Sequence, residues 1–356
     1  MILNVVKIFL PAVIAFVIGV GITPLLTNFL YRHEMWKKKV GKTALDGNTA
    51  TVFNELHKHK ETGTPRMGGI VIWLSAAVTI TGIWFISKVI PTDTNIKLDF
   101  LSRSQTWLPL TTLLIGALCG LMDDYLEVKG TGTYMSGGLP LRHRLAIVGI
   151  VGILCGSWFF FKLDVTSIGL PLIGELFLGW LIIPLFALVT VGIYSGGVID
   201  GLDGLAGGIF AAIFSSYAAI SFFQNQINLA ALCLTIVGGI LAFLWFNIPP
   251  ARYYMTETGT MALTITLAVV AFMTDSLGGG YGVIVLPLIA LPLVITSLSV
   301  IIQIMSKKFR GKKFFLIAPI HHHFEALGWQ AYKVTMRFWI IGVVCAILGF
   351  VLAVIG

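Results

Sequence analysis

The chain has 356 residues, of which 57% are hydrophobic and only 11% are charged, with a net charge of +8. Soluble domains carry about a quarter charged residues, so this composition excludes an ordinary water-soluble globular protein. The positive charge does not indicate nucleic-acid binding, because no basic helix with interleaved aromatic residues occurs. It is typical instead of a membrane protein whose basic residues set its topology and meet anionic lipids or an anionic substrate.

Mainly apolar runs of about 20 residues, the length that a bilayer crossing requires, recur along the whole chain. They predict an all-α polytopic membrane protein with about ten transmembrane helices, forming one domain over residues 1–356. Pro184, Pro287 and Pro292 predict kinks in the fifth and ninth helices. The predicted spans are 5–30, 68–90, 107–126, 144–161, 171–191, 204–223, 229–247, 260–274, 281–305 and 335–355.

Basic residues are distributed unevenly between the loops. Most of the 24 Lys and Arg fall in alternate segments, which the positive-inside rule places in the cytoplasm, so both termini are expected outside. Those segments are 31–66, 127–144, 192–204, 248–259 and 306–337. Six carboxylates fall on the same side near the membrane boundary, and a shared cation or substrate would explain their gathering; they are Asp123, Asp124, Asp200, Asp203, Glu257 and Glu325.

The string Gly63-Thr64-Pro65-Arg66-Met67-Gly68-Gly69 leads into the second span. Glycines and an arginine at a helix N-terminus can hold a phosphate, which makes Arg66 a candidate substrate-binding residue. A plain turn into a membrane helix is equally consistent with the string.

Asp123 and Asp124 end the third span. Neighbouring helix positions point about 100° apart, so the two are not expected to chelate one ion side by side. One carboxylate can bind a cation while the other meets a substrate or a basic side chain. The alternative is a solvated helix end with Lys129 as its counterion.

Asp200-Gly201-Leu202-Asp203-Gly204-Leu205 begins the sixth span. The i,i+3 spacing places both acids on one helix face, where they repel unless a cation or hydrogen-bond donors intervene. The glycines allow a backbone or a ligand to approach closely. A helix N-cap with favourable acids in its first turn is the alternative.

Glu257 lies in Tyr253-Tyr254-Met255-Thr256-Glu257-Thr258-Gly259-Thr260, after Asn247 and before the eighth span. A glutamate among hydroxyls at a helix start is consistent with simple capping. Its expected position beside the other acids favours metal ligation.

Three consecutive histidines, His321, His322 and His323, precede Glu325. They cannot readily share one zinc ion with helical geometry, and no HExxH string occurs. Donors for a phosphate or a sugar are the favoured interpretation, and a histidine run at the membrane interface is the alternative.

The type of ligand indicates the cation. The gathered groups are carboxylates without thiols nearby, and hard oxygen ligands select Mg²⁺ or Mn²⁺ over zinc. A divalent cation, histidine donors and basic loops at a membrane interface together favour phosphoryl chemistry on a lipid phosphate.

Together these strings resemble the phospho-N-acetylmuramoyl-pentapeptide transferases, which are polyprenyl-phosphate N-acetylhexosamine-1-phosphate transferases. HHHFE with Gly328-Trp329 separates this family from relatives that transfer other sugars. The matching strings run from the second to the tenth span and so cover nearly the whole chain: GTPRMGG at 63–69, MDDY at 122–125, DGLDGLAGG at 200–208, MTETGT at 255–260, APIHHHFE at 318–325 and RFWII at 337–341.

The resemblance implies a ten-helix homodimer in the bacterial inner membrane, with its active site facing the cytoplasm. It implies Mg²⁺-dependent transfer of phospho-MurNAc-pentapeptide from UDP-MurNAc-pentapeptide to undecaprenyl phosphate, giving lipid I and UMP. Among site residues it implies Asp123 as the base or phosphate-activating acid and Glu257 in the place of the metal-binding aspartate. The other implied catalytic residues are Asp124 and Asp203, and the implied substrate-binding residues are Arg66, Asp200, Gly201, Leu202, Asn247, Tyr254 (stacked on uracil), His321, His322 and His323.

The sequence departs from the family pattern at several of these positions. Glu257 replaces the usual aspartate, Arg66 a threonine and Glu127 a lysine, for which Lys129 is a candidate substitute. Glu61 also replaces a lysine, and Tyr194 and Gly197 replace two asparagines. Every carboxylate position keeps a carboxylate, so a divergent active enzyme is favoured. A relative that uses another UDP-N-acetylhexosamine, or a non-catalytic membrane protein with the same fold, is the alternative.

Overall fold

The computed structural model describes residues 2–37, 63–130, 138–171, 173–275 and 277–356. Within these ranges ten helices are long and apolar enough to cross a membrane, as the sequence predicts. Apolar runs form helices in a bilayer because a helix satisfies its backbone N–H and C=O groups internally. The helices are α1 (Ile2–Arg32), α2 (Ile70–Val89), α3 (Asp93–Leu98), α4 (Trp107–Lys129), α5 (Leu141–Leu163), α6 (Ile182–Ser195), α7 (Leu205–Phe223), α8 (Ile227–Asn247), α9 (Thr256–Asp275), α10 (Gly282–Ile289), α11 (Leu291–Arg310), α12 (Ile320–Ala326) and α13 (Ala331–Ile355).

Two membrane spans need a closer comparison with the prediction, the fifth for its position and the ninth for its kink. The fifth was expected at 171–191, but an antiparallel hairpin of β1 (Ser167–Leu170) and β2 (Gly174–Phe177) takes its first residues, and the membrane helix covers Gly179–Ile199. Pro184 lies in the first turn of α6, where its missing N–H is tolerated. The predicted kink of the ninth span is confirmed as a break at Ala290, between Pro287 in α10 and Pro292 in α11.

Helix α9 lies at the centre of the bundle. Helices α2, α4, α5, α6, α7 and α10 all contact it. Every residue of α9 except Glu257 is buried, which is the pattern expected of a helix that is surrounded by others. The one residue of α9 that reaches a surface is therefore the candidate metal ligand.

Two glycines of α4 allow it to lie directly on α9. A Cβ at Gly120 would overlap the carbonyl of Glu257, and one at Gly116 would lie 2.8 Å from the carbonyl oxygen of Met261. Only a hydrogen fits at these positions. The close approach brings the end of α4, which carries Asp123 and Asp124, to the first turn of α9.

Asp275 fixes the opposite end of α9, about 27 Å from Glu257. Its buried carboxylate accepts hydrogen bonds from the N–H of Gly169 in β1 at 2.9 Å and of Val283 in α10 at 3.0 Å. We expect Asp275→Ala to lower the free energy of unfolding by about 2–5 kcal/mol, because two buried N–H groups lose their acceptor. Thermal unfolding in detergent would measure this loss.

Asp93→Ala is the matched control for Asp275→Ala. Asp93 pairs with Lys97 at 2.6 Å, but the two side chains are 82% and 53% exposed. Exposed ion pairs contribute little, so this variant should unfold within about 0.5 kcal/mol of the parent. Equal effects of the two substitutions would contradict a structural role for Asp275.

Candidate active site

Asp124 is a heavily bonded carboxylate at this end of the bundle. It is fully buried, and its Oδ2 accepts hydrogen bonds from Thr256 Oγ1 at 2.5 Å, Thr258 N at 2.9 Å and Thr258 Oγ1 at 2.6 Å. Its Oδ1 lies 3.2 Å from the Arg66 guanidinium. Asp124 therefore fixes the first turn of α9 from α4, and Glu257 lies between the two threonines that it binds.

Asp123 points away from Asp124, as helix geometry predicts. Its Oδ1 accepts a hydrogen bond from Leu139 N at 2.5 Å, and its Oδ2 lies 3.6 Å from Arg144 Nη1. The same Arg144 nitrogen donates to Oε1 of Glu257. One guanidinium from α5 thus bridges two carboxylates, one from α4 and one from α9.

Glu257 has two further contacts. Tyr194 donates its hydroxyl to Oε2 at 3.1 Å, and Thr260 Oγ1 lies 3.4 Å from the same oxygen. The side chain is 20% exposed, so this carboxylate is oriented by the protein and still reaches the surface. Both Tyr194 and Glu257 depart from the family pattern, and the structure brings them into direct contact.

The donor set at Arg144 is compatible with Mg²⁺. Among the described ranges, no three His, Cys, Asp or Glu side chains lie close enough to hold a metal ion by themselves. Proteins commonly bind Mg²⁺ with one or two carboxylates and let substrate phosphates supply other oxygens. Glu257 provides one such carboxylate, and it lies next to Asp123, with which it shares the cation of Arg144.

Arg66 and Glu127, two other departures, also form a pair. Arg66 Nη2 lies 2.8 Å from Glu127 and 3.2 Å from Asp124. Burial acts to lower the pKa of Arg66, but the carboxylates of Glu127 and Asp124 outweigh it and raise that pKa. Arg66 therefore supplies the positive charge beside Asp124. Lys129, the candidate substitute, lies over the Tyr125 ring instead.

We expect that Arg66 and Glu127 can be replaced together by the threonine and the lysine of the family pattern. Arg66→Thr alone leaves the acids of Asp124 and Glu127 together without a cation, and Glu127→Lys alone places two cations around Asp124. The double variant R66T/E127K restores a single cation, so it should be more stable than either single variant, with a coupling free energy of about 1–3 kcal/mol. Thermal unfolding of the four proteins measures this coupling, and additive effects would contradict it.

The prediction that Asp200 and Asp203 share a helix face is wrong. Residues 200–204 form a turn between a 3-10 turn (Gly196–Ile199) and α7. Asp200 Oδ2 accepts a hydrogen bond from Thr256 N at 2.8 Å, and Asp203 Oδ2 accepts one from Ala251 N at 3.3 Å. Glycines on either side allow the turn, and backbone N–H groups of the segment 251–256 donate a hydrogen bond to each of the two acids.

Asn247 joins the same two segments. It is 3% exposed, and its Oδ1 accepts a hydrogen bond from Gly204 N at 2.9 Å while its Nδ2 donates to the Tyr253 carbonyl at 2.8 Å. The amide thus orients the loop that carries Tyr254. Tyr254 is half-buried, and Leu202 is buried in the core.

The three histidines do not act as one group. Nε2 of both His321 and His322 lie so close to Gly201 that a Cβ there would collide with them. Nδ1 of His322 is 2.7 Å from Glu325. His323 turns away, because its Nδ1 accepts a hydrogen bond from Leu316 N at 3.3 Å and its ring packs against Phe315. Two of the three predicted histidines therefore adjoin the Asp200 turn.

The turn at Gly68 and Gly69 is not arranged to hold a phosphate. The N–H of Gly68 donates to the Tyr254 carbonyl at 2.8 Å, and that of Gly69 donates to the Met255 carbonyl at 3.2 Å. These donors are used to attach α2 to the segment before α9. The alternative interpretation, a turn into a membrane helix, is therefore the better one. Glu61 lies outside the described residues.

Arg144 is a candidate site residue that the sequence does not single out, because there it is one of several basic residues in the segment 127–144. It lies one turn inside α5, and the side chain is 20% exposed. A cation inside a membrane helix is costly unless it is paired, and this was the available signal. The sequence shows Thr256 and Thr258 as hydroxyls near Glu257, but spacing does not identify their partner Asp124.

Comparison with known proteins adds independent information. Residues 106–275, which contain Asp123, Asp200 and Glu257, match the family described as Glycosyl transferase family 4. The chain is 33% identical over 345 residues, 96% of each chain, to the phospho-N-acetylmuramoyl-pentapeptide-transferase of Geobacillus sp. (strain WCH70). It is equally similar, over 344 residues and 96% of each chain, to the enzymes of that name from Bacillus thuringiensis (strain Al Hakam) and Bacillus cereus (strain AH187).

Proposed function

The chain belongs to the phospho-N-acetylmuramoyl-pentapeptide transferases, and on that premise we propose that it transfers phospho-N-acetylmuramoyl-pentapeptide from UDP to undecaprenyl phosphate. The products are lipid I and UMP, and the reaction is a step of peptidoglycan synthesis. The chain is a multi-pass membrane enzyme of the phosphoglycosyl transferase type. The departures from the family pattern support activity, since they contact one another in pairs, Arg66 with Glu127 and Tyr194 with Glu257.

The observation that carries the proposal is the convergence of Asp123 and Glu257 on Arg144. Phosphoryl transfer needs positive charge and oriented groups around a diphosphate more than it needs covalent chemistry from the protein. Two carboxylates and a guanidinium from three different helices provide such a centre at one end of the bundle. The Glu257 side chain, which is 20% exposed, gives a substrate access to it.

In the reaction we propose, an oxygen of the lipid phosphate attacks the β-phosphorus of the UDP-sugar. The bond from that phosphorus to the bridging oxygen breaks, and UMP leaves. Asp123 Oδ2 accepts the proton of the acceptor phosphate or orients its attacking oxygen. Mg²⁺ held by Glu257, with Asp123 beside it, would neutralise the diphosphate charge.

The remaining residues position the substrate. Arg144 keeps Asp123 and Glu257 together and contributes positive charge next to the transferred phosphate. His321 and His322 donate to the sugar or phosphate beside Gly201. The Tyr254 ring stacks on uracil, on a loop that Asn247 and the backbone contacts of Asp200 and Asp203 hold in place.

We also propose the orientation that the basic loops indicate. The candidate site faces the cytoplasm, where the nucleotide donor would be found, and both termini face outside a bacterial inner membrane. The enzyme is a homodimer surrounded by membrane lipids. Cysteine labelling of intact cells with an impermeant reagent at the chain ends tests the orientation.

The proposal is tested by measuring UMP release from the purified protein in detergent. We expect release with UDP-MurNAc-pentapeptide, undecaprenyl phosphate and Mg²⁺ together, and a drop to background when any one of them is omitted. UDP-GlcNAc in place of the natural donor should give no more than about 1% of that rate, because a specific transferase distinguishes donors by several kcal/mol.

Either of two other outcomes would change the assignment. Faster release with UDP-GlcNAc would identify a transferase for another UDP-N-acetylhexosamine. Binding of the UDP-sugar without any UMP release, by protein with a normal unfolding transition, would indicate a non-catalytic membrane protein with this fold.

A further inference from the structure

A strongly basic surface lies at the end of α11 and is not used by the proposed reaction. Residues 306–320 contain five Lys and Arg and no Asp or Glu. Six exposed side chains form what we call the basic aromatic surface: Lys308, Phe309, Arg310, Lys312, Lys313 and Phe314. Phe309 and Phe314 are 73% and 58% exposed.

Hydrogen bonds from α11 hold this surface in one arrangement. Gln303 Oε1 accepts from the N–H groups of Phe314 at 3.0 Å and Phe315 at 2.9 Å, and its Nε2 donates to the Phe315 carbonyl at 2.9 Å. Ser306 Oγ donates to the Lys312 carbonyl at 2.9 Å, and Ser299 Oγ accepts from Ile320 N at 3.0 Å. The chain reverses at Gly311, with φ of 64°, and folds back along α11.

The three side chains that make these bonds are at positions 299, 303 and 306. Spacings of four and three residues place them on one face of α11. All three are buried, at 2%, 8% and 8% exposure. The cations and phenylalanines are consequently presented outward from a fixed loop. A surface that is already ordered loses little conformational entropy when it binds a ligand.

The position along α11 indicates the depth of the surface in the membrane. The preceding residues Ile301, Ile302, Ile304 and Met305 are 40–51% exposed and apolar, as lipid-facing side chains are. Cations begin immediately after them. This order places the cations at the level of the headgroups, with Phe309 and Phe314 next to the boundary of the hydrocarbon.

We propose that the basic aromatic surface binds an anionic phospholipid headgroup of the surrounding bilayer. Cations at headgroup depth attract the phosphate of such a lipid, and the adjacent aromatic rings contact its acyl chains. A free phosphate would make no use of the two exposed phenylalanines. Pro319 and α12 follow directly, so a bound lipid would contact the loop that leads to His321 and His322.

The proposal does not depend on the proposed reaction and can be tested by lipid binding alone. The purified full chain in detergent is titrated with dioleoyl phosphatidylglycerol or dioleoyl phosphatidylcholine, and bound lipid is counted by native mass spectrometry. In the variant K308Q/R310Q/K312Q/K313Q, the affinity for phosphatidylglycerol should fall about tenfold or more. The affinity for phosphatidylcholine should be unchanged.

A matched control removes four exposed cations at the other end of the bundle, in K88Q/K97Q/R103Q/K162Q. Its affinity for phosphatidylglycerol should stay within about twofold of the parent's, since those cations lie far from the basic aromatic surface. If the quadruple variant fails to fold, the double variants K308Q/R310Q and K312Q/K313Q replace it in the titration. Each is expected to lose part of the affinity for phosphatidylglycerol.

Equal phosphatidylglycerol binding by the surface variant, the control and the parent would overturn the proposal. Unchanged phosphatidylglycerol binding with a raised KM for undecaprenyl phosphate would also overturn it, and would assign the surface to the acceptor. The lipid-binding comparison is independent of whether UMP release itself is observed with the parent protein.

Discussion

Asp124→Ala is expected to abolish UMP release and to lower the unfolding temperature more than any other single substitution at the candidate site. The substitution removes the acceptor of Thr256 Oγ1, Thr258 N and Thr258 Oγ1, all buried, and one partner of Arg66. Each buried donor without an acceptor costs about 1–3 kcal/mol. The first turn of α9 would lose its attachment to α4, and Glu257 would lose its position with it.

The measurements are thermal unfolding in detergent and UMP release at a temperature where the variant is folded. Asp99→Ala is the matched control, because Asp99 is also bonded inside the structure but lies away from the site. It accepts hydrogen bonds from Leu101 N at 2.9 Å and Ser87 Oγ at 3.1 Å. We expect that control to lose stability while keeping activity.

A milder variant covers the case in which Asp124→Ala does not fold. Thr258→Val removes only the hydroxyl donor at 2.6 Å and keeps the side-chain volume. It should lower the unfolding temperature less and leave measurable UMP release. Normal stability of both Asp124→Ala and Thr258→Val would contradict the role of Asp124 in attaching α9.

Glu257→Gln is the second large effect, and here the loss should be catalytic rather than structural. Glutamine has nearly the same shape, and its amide oxygen can still accept the Arg144 hydrogen bond that Glu257 Oε1 accepts. The negative charge that faces the shared cation is lost. We expect kcat to fall at least about 100-fold, which corresponds to about 3 kcal/mol, with an unchanged unfolding temperature.

A Mg²⁺ titration distinguishes the roles of the two carboxylates. For Glu257→Gln, the Mg²⁺ concentration at half-maximal rate should rise and excess Mg²⁺ should recover part of the activity. For Asp123→Asn, we expect no recovery, because Asp123 is proposed to act on the acceptor phosphate. Recovery of Asp123→Asn by Mg²⁺ would reassign it as a metal ligand, and insensitivity of Glu257→Gln to Mg²⁺ would remove Glu257 from the metal site.

Tyr194→Phe is a useful comparison for Glu257→Gln. It removes one hydrogen bond, the 3.1 Å contact to Oε2, and leaves the carboxylate charge in place. The rate should fall only about tenfold or less, in keeping with the loss of a single orienting hydrogen bond.

The sequence predicted most of the membrane fold, because a helix in a bilayer is specified locally. Each span needs only an apolar run of sufficient length, so ten spans could be counted without knowing which helices touch. The exceptions were local as well. The hairpin at residues 167–177 displaces the fifth span, which covers Gly179–Ile199 instead of 171–191, and it forms where an apolar stretch contains glycines at 169 and 174.

Residue types at the site could also be read from the sequence, since the chemistry of a phosphate or a cation restricts them to carboxylates, histidines and basic residues. The sequence placed Asp123, Asp124 and Glu257 near one another on one side, and the structure confirms this for the three. It could not show that Asp200 and Asp203 lie in a turn, because the i,i+3 spacing is compatible with both a helix and a turn.

Only the tertiary structure decided which charges meet. Arg144 bridges Asp123 and Glu257, and Arg66 joins Asp124 to Glu127. The residues in these contacts are 21 to 113 positions apart in the sequence. Such pairs follow from how closely α4 lies on α9 at Gly116 and Gly120 and from how α5 packs beside them. Spacing along one helix carries no information about a partner on another. Apolar length and residue chemistry were therefore determined by the sequence, and the pairing of the ionised groups was determined by helix packing.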